Sequence, residues 1–434
     1  MMPHVQELRL ANYRGFRDAR LPLEGLTFLV GRNGAGKTTL VDALSFVREA
    51  LTQSLPTALV KRDGIAEVRS RFAGRDELLT VALVFGIVSN TEGRSRTLSV
   101  PHGFDGPVRG TSGRCLYGFS LAADGTVARE VCRSTIPGIP EFRRDASGIH
   151  IDAPTFMRPA VEPELLLLPL LAGGDVLIPG ARISRTSGES TRPGAAEWSL
   201  LRDSLVNLAV IEPDPRVIRQ PSPVQALVPL ERDGRNLADV LDALSQNGFA
   251  PRLARISERL ERICGGISRV HTATEAGYRR IFFEQVVKGQ PQVFRAASMS
   301  NGTLRALAIL AALEQRAWPS LLCVEEIEDA VHPGALAVLL QAAEEATEPD
   351  PEGHRPPFEV LVTTHSTEVL SLPQALGERV RVVVSRDGES SVHGLAKGVM
   401  DLLEPPETIG ALLRINALWP EDAPLRIDGD PLVP

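Results

Sequence analysis

Nine consecutive residues, Gly31-Arg32-Asn33-Gly34-Ala35-Gly36-Lys37-Thr38-Thr39, set three glycines ahead of a lysine and two threonines. The run fits the pattern G-x-x-x-x-G-K-[ST] at every fixed position. Such a loop can handle phosphate. Glycines let the backbone wrap closely, so that the N–H groups of Asn33, Gly34, Ala35 and Gly36 can point at phosphate oxygens. A following helix adds the positive end of its dipole at the same place. Lys37 would reach the β- and γ-phosphates, Thr38 would hold Mg²⁺ through its hydroxyl, and Thr39 would complete the anion cradle. The flanking residues suit this. Leu26–Val30 is strand-like and apolar, and Thr39 to Leu51 has helical spacing.

Three further groups carry chemistry. Leu321-Leu322-Cys323-Val324 is a short apolar strand that runs into Glu325-Glu326, the form of a Walker B motif. Glu325 would bind Mg²⁺ through water, and Glu326 would orient or deprotonate an attacking water. Paired acids past a buried strand are also common surface caps; the P-loop upstream favours the catalytic reading. Thr364-His365-Ser366 follows a second buried strand, and His365 there can hydrogen-bond a γ-phosphate and its attacking water. Met299-Ser300-Asn301-Gly302-Thr303 precedes a helix. Ser300 is either an ordinary N-cap or an anion contact, and its place just ahead of the Walker B strand favours the contact.

These elements, in this order, resemble the ABC-type ATPases, and within them the RecF/SMC-like heads and the short ATPases related to them and to the OLD family. The signature S-x-G reads Ser300-Asn301-Gly302, the Glu-Glu form of Walker B reads Glu325-Glu326, and the T-H-S switch reads Thr364-His365-Ser366. The element between them, Ile327-Glu328-Asp329-Ala330-Val331-His332-Pro333, departs from the family's P-E-N…H-P at Ile327 and Asp329. Asp233-Gly234-Arg235-Asn236-Leu237-Ala238 is similar to a run of the short group. The likeness covers residues 5–51 and 230–400. It implies an α/β P-loop head with a mostly parallel sheet, helices on its faces, an antiparallel β portion and an inserted lobe. It also implies two chains sandwiching two ATP molecules. Lys37 of one chain and Ser300 of the other would clasp one γ-phosphate, with Gly302 of the signature in the nucleotide-binding set and Asp329 and His332 at the seam. Arg14 and Phe16 fall where such heads place a residue beside the adenine; a packed Phe and a surface Arg are the equal alternative. The Gln that should reach Mg²⁺ has two weakly supported candidates, Gln220 and Gln225.

The remaining sequence bounds the answer. With 434 residues and 43% hydrophobic content there is material for a sizeable core. A net charge of −7 argues against a chain that coats nucleic acid indiscriminately. The four cysteines are scattered without a CxxC pair, which suits reduced thiols in a cytoplasmic protein, and Cys323 reads as a small core residue. The N-terminus opens on a strand pattern, Val5 to Leu10, and shows no secretory leader. The apolar stretch Leu165 to Leu171 contains Pro169 and is far below membrane-spanning length.

Composition changes at about residues 90 and 235, and the expected domains are 1–90, the N-terminal part of the head with the P-loop; 91–299, a β-rich and helical insert; and 300–434, the C-terminal part of the head. Within the insert, 179–196 reads as a mobile loop and 236–264 as a helical pair. Lys37 and Ser300 stand 263 positions apart, too far for a transporter motor and without the coiled coil of an SMC arm. Only 69 residues follow His365, too few for a Toprim nuclease domain, and Asp428-Gly429-Asp430 reads as solvated tail. In Pro251 to Cys264, Arg252, Arg255, Arg259 and Arg262 share a stripe about 80° wide. That stripe could grip a duplex, or be a solvated edge paired with Glu258. The expected activity is ATP hydrolysis in a dimerising switch. Candidate partners are DNA, in repair or antiphage defence, and a separate effector protein; the alternative is an ATP-dependent scaffold that holds a toxic effector.

Overall fold

The computed structural model of the chain describes residues 2–88, 111–135, 141–151, 166, 168, 177–178, 181–182, 195–225, 229–246, 248–349, 357–375, 377–396, 409–414, 423–427 and 429–433. Most of the expected loop 179–196 lies outside them, as does Asp428.

The first part of the chain supplies β1 (Met2–Tyr13), β2 (Phe16–Pro22), β3 (Leu26–Val30), α1 (Lys37–Thr52), α2 (Leu55–Val60) and α3 (Ile65–Val68). Next come β4 (Leu79–Val88), β5 (Thr111–Leu121), β6 (Val127–Ser134), β7 (Phe142–Asp145), β8 (Gly148–Ile151) and the small pair β9 (Leu177–Ile178) and β10 (Ala181–Arg182). The middle holds α4 (Ala195–Val206), β11 (Leu208–Ile211), α5 (Pro215–Ile218), β12 (Ser222–Pro223), α6 (Leu237–Ser245), α7 (Ala250–Cys264), β13 (Ile267–Glu275), β14 (Tyr278–Val287) and β15 (Gln290–Arg295). The last part gives α8 (Asn301–Glu314), β16 (Leu321–Val324), α9 (Pro333–Ala346), β17 (Glu359–Thr364), β18 (Val380–Arg386), β19 (Glu389–Gly394) and α10 (Ile409–Arg414).

The central sheet has the order β11-β16-β17-β3-β18-β19. Its first five strands are parallel, and β19 closes the edge as an antiparallel hairpin with β18. Each parallel strand is an apolar run because both its faces are covered. Alternate residues divide between two cores. Leu29, Leu208, Val210, Leu321, Cys323 and Leu361 pack with α1 and the N-terminal sheet. Leu26, Phe28, Val30, Leu322, Val324, Val360 and Val362 pack with α6, α7, α8 and α9 on the other side.

The N-terminal sheet is antiparallel, in the order β2-β1-β4-β5-β6-β7-β8. It runs across residue 90, where the composition changes: β4 pairs with β5 along its whole length. A third sheet joins β12, β13, β14 and β15 just ahead of α8. The tail is not simply solvated. Leu432 is fully buried against Ala82, Val84, Leu116 and Val131 on the outer face of the N-terminal sheet. Asp430 pairs with Arg129 at 2.6 Å, and Arg9 Nη1 donates to the Val433 carbonyl at 2.6 Å. No helix among the described residues is long and apolar enough to cross a membrane.

Candidate nucleotide site

The loop after β3 is shaped by three positions where glycine is needed. A Cβ on Gly31 would lie 2.5 Å from the Val383 carbonyl oxygen. Gly34 and Gly36 have φ of 78° and 114°, a region L side chains rarely adopt. Gly36 is also the N-cap of α1, and no side chain caps it. The first-turn N–H groups of α1 are therefore left to a ligand, the condition for an anion site. Asn33, Gly34 and Thr38 are exposed along the loop, Gly36 and Thr39 are half-buried, and Ala35 is buried.

Lys37 is folded back over its own loop. Its Nζ donates to the carbonyls of Gly31 at 2.7 Å and Arg32 at 3.2 Å. Burial lowers its pKa, partly offset by the carboxylates of Glu326 and Glu328. The lysine and the acids of the Walker B turn therefore share one electrostatic neighbourhood.

Sheet register brings the remaining groups together. Val324 pairs with Val362 across β16 and β17, and Thr364 pairs with Val30 across β17 and β3. The Walker B end, the switch loop and the P-loop thus leave the same ends of three neighbouring strands, where ligands of parallel α/β sheets bind. The Glu326 N–H donates to Thr363 Oγ1 at 3.0 Å, which ties the first two loops. Glu326 is exposed and holds a φ of 45°, an uncommon backbone state that surrounding contacts must maintain. Those contacts come from Arg305 on α8. Its Nη2 donates to the carbonyls of Glu325 and Glu326 at 2.9 Å each, and its Nη1 donates to Pro213 at 3.0 Å.

Glu325 is buried at the strand end. Burial raises its pKa, and Arg232 Nη2, 2.6 Å from its Oε1, pulls the other way. Arg232 also reaches Glu212 at 2.9 Å. His365 follows β17 directly and is exposed. Its ring Nδ1 lies 3.2 Å from Glu328 Oε1.

Ser300 is the N-cap of α8 and accepts from the Thr303 N–H at 3.1 Å. Its side chain does the ordinary capping work, yet it remains exposed. Gly302 is needed for packing, since a Cβ there would meet the Ala330 carbonyl oxygen at 2.5 Å. Arg219 braces the loop by donating to the Met299 carbonyl and to Asn301 Oδ1, at 2.8 and 2.7 Å. His332 caps α9, accepting at Nδ1 from the Gly334 N–H at 3.1 Å, and Asp329 is exposed 3.4 Å from Arg305.

Two expectations need correction. Phe16 presents no face to a nucleotide: it is fully buried, and its ring lies beneath Gly36, where it supports the P-loop from below. Arg14 beside it is ion-paired with Asp42 at 3.3 Å. Three arginines of the α7 stripe, Arg252, Arg255 and Arg259, turn onto neighbouring elements instead of lining a duplex grip or a solvated edge, while Arg262 stays exposed. Arg252 is buried under the rings of Phe249 and Trp318, Arg255 and Arg259 pair with Glu314 at 2.9 and 2.8 Å, and Arg262 reaches Gln341 at 3.2 Å. Gln220 and Gln225 occupy exposed positions around β12.

Reading the sequence missed the arginines that hold the site, Arg219, Arg232 and Arg305. Arg232 had a signal, since it directly precedes the Asp233-Gly234 run. Arg305 also lay close to a motif, three residues past Gly302 of the signature, whereas Arg219 sits in a segment with none.

Comparison with known proteins agrees with this geometry. The family model described as "AAA domain, putative AbiEii toxin, Type IV TA system" matches residues 199–371, and the model described as "AAA ATPase domain" matches residues 4–77. An OLD nuclease from Thermus scotoductus is 39% identical over 61 residues, which are 14% of this chain and 12% of that protein's length. Among solved structures, the SmcHead bound to the C-winged helix domain of ScpA superposes over 92% of this chain and 100% of that one, with TM-score 0.52 and 16% identity. An Smc head domain with an extended coiled coil, derived from Pyrococcus furiosus, covers 92% of this chain and 98% of that one, with TM-score 0.50 and 13% identity. Together the two family models, the OLD relative and the SMC head neighbours support an ABC-type ATPase of the RecF/SMC/OLD-like kind. The ATPase family models imply nucleotide binding.

Proposed function

We infer that the chain binds ATP with Mg²⁺, hydrolyses it, and uses the cycle to make and break a dimer. One observation carries this reading: the P-loop, the Walker B acids and the switch histidine leave adjacent ends of β3, β16 and β17. Lys37 takes the β- and γ-phosphates, with the open amides of α1 beneath them. The donor set for the metal is hard oxygen, the Thr38 hydroxyl and the Glu325 carboxylate, which suits Mg²⁺. When bound, that ion neutralises phosphate charge. Arg232 donates to the same Glu325 carboxylate at 2.6 Å. Glu326, exposed on its strained turn, orients or deprotonates the attacking water, and His365 contacts the γ-phosphate side.

The faces that α1 and α8 occupy support the dimer reading. The core of α1 lies on one side of the central sheet and that of α8 on the other. This separation supports Ser300 and Gly302 serving the nucleotide of a second copy, with Asp329 and His332 beside them. Arg14 is the candidate for the adenine side. Hydrolysis then opens the pair, a nucleotide-gated switch or clamp.

A duplex or a protein effector is the downstream partner, in DNA repair or antiphage defence; a scaffold that holds an effector is the second reading. Arg255 and Arg259 of α7 are already paired with Glu314, which weakens the case for that stripe as a DNA contact and supports the effector reading. Steady-state ATPase of the pure chain, with and without duplex DNA, tests both. Turnover stimulated by DNA and lost in Glu326→Gln would support a DNA-gated clamp. DNA-indifferent turnover would favour the effector reading. No turnover at all would overturn the enzymatic assignment.

A further inference from the structure

Glu328 lies in the turn between Glu326 and α9, and no step above uses it. Its side chain is 11% exposed, and one of its oxygens serves a single residue twice. Oε1 accepts from the backbone N–H of His365 at 2.9 Å and lies 3.2 Å from that residue's ring Nδ1. Two adjacent loops carry these groups, and the Glu326 N–H to Thr363 bond holds the loops in register. Backbone and ring of His365 are therefore anchored to one atom, which fixes the rotation of the ring.

The carboxylate also bears on where the ring proton sits. An ionised carboxylate only accepts, and with Oε1 3.2 Å from Nδ1 it favours the hydrogen on that nitrogen. Which nitrogen of a histidine is protonated is set by the bond the other one makes. Nε2 is then the nitrogen left to the nucleotide, and the ring is 48% exposed, enough to meet a ligand. Other charged groups stand near. Lys37 feels both Glu326 and Glu328, and Glu368 accepts from the Ser366 hydroxyl at 2.7 Å.

We propose that Glu328 is the positioning residue of the switch: it holds His365 with its proton on Nδ1 and aims Nε2 at the terminal phosphate and its attacking water. This rests on the ATPase reading above and deepens it. Glu328 does not touch the nucleotide and acts through the histidine.

The test uses the full chain with Glu328→Ala, Glu328→Gln and His365→Ala. Glu328→Ala should lower kcat on the order of tenfold, the size of effect seen when an orienting partner of a histidine is removed, with KM held within about twofold. Glu328→Gln keeps an acceptor oxygen and should recover most of the rate. In a His365→Ala background, Glu328→Ala should add nothing. Nitrogen NMR of histidine-labelled protein should show the His365 proton on Nδ1 in the wild type, with the tautomer shifted in Glu328→Ala. An unchanged tautomer together with wild-type kcat would overturn the proposal, as would multiplying effects of the two alanine variants. If the wild type itself turns over no ATP, the ATPase reading fails, and the NMR result still decides the role of Glu328.

Discussion

Lys37 sits between two sets of oxygens. It now donates to two carbonyls of its own loop while its pKa is lowered by burial. A γ-phosphate offers stronger, charged acceptors in the same place. Lys37→Ala should therefore abolish ATP binding, read as loss of fluorescent-nucleotide binding with an unchanged melting temperature without nucleotide. Glu326 is different in kind. Its side chain is exposed, and its backbone is fixed by Thr363 and Arg305, so the carboxylate can be altered without loosening the turn. Glu326→Gln should bind ATP as the wild type does and lose about 10²-fold or more in kcat, the usual weight of a general base. Wild-type turnover in that variant would remove Glu326 from the mechanism. These side chains were legible in the sequence because phosphate chemistry demands particular residue types at fixed spacing. The arginines that brace them were not. Arg305 acts through carbonyls of residues distant in the chain, and any sequence can supply a carbonyl.

Elements carry a second lesson about what a pattern can show. The central strands β3, β16, β17 and β18 were readable as short apolar runs, since strands covered on both faces need no alternation. Leu208–Ile211 is an equally apolar run, and it pairs with β16, yet it hides in a stretch of glycine, proline and arginine. The α7 stripe was visible as a stripe and misplaced as a surface. Helical periodicity says which residues share a face, and cannot say whether an acidic partner waits opposite. Here Glu314 at the end of α8 is that partner, buried between Arg255 and Arg259. Removing one member of a buried, paired cluster leaves charge without compensation. Glu314→Ala should cost about 3 kcal/mol by urea unfolding. Four-fold alanine replacement of the stripe should likewise lower stability and leave any DNA retention of the folded fraction unchanged. A normal melting curve with lost DNA binding would restore the stripe as a contact surface.

At the scale of the whole molecule the question is how many chains one site needs. The P-loop heads α1 on one side of the central sheet and Ser300 heads α8 on the other, so on the proposed dimer reading each chain would bring two half-sites to different faces. A monomer should thus bind ATP through Lys37, and two ATP-bound copies should close head to tail. Ser300 is exposed, and its cap bond to Thr303 is worth about 1 kcal/mol, so Ser300→Arg should spare the fold. That variant should bind ATP as a monomer and fail to dimerise in a Glu326→Gln background, measured by sedimentation velocity. Lys37→Ala fails for the opposite reason, an intact signature with no nucleotide to offer. Mixed together, the two variants can still form one composite site from the intact P-loop of the first and the intact Ser300 of the second. Hetero-dimer should therefore appear in the mixture with ATP, while each variant alone stays monomeric. A mixture that never associates, beside a Glu326→Gln control that does, would show that the two half-sites are not shared between chains.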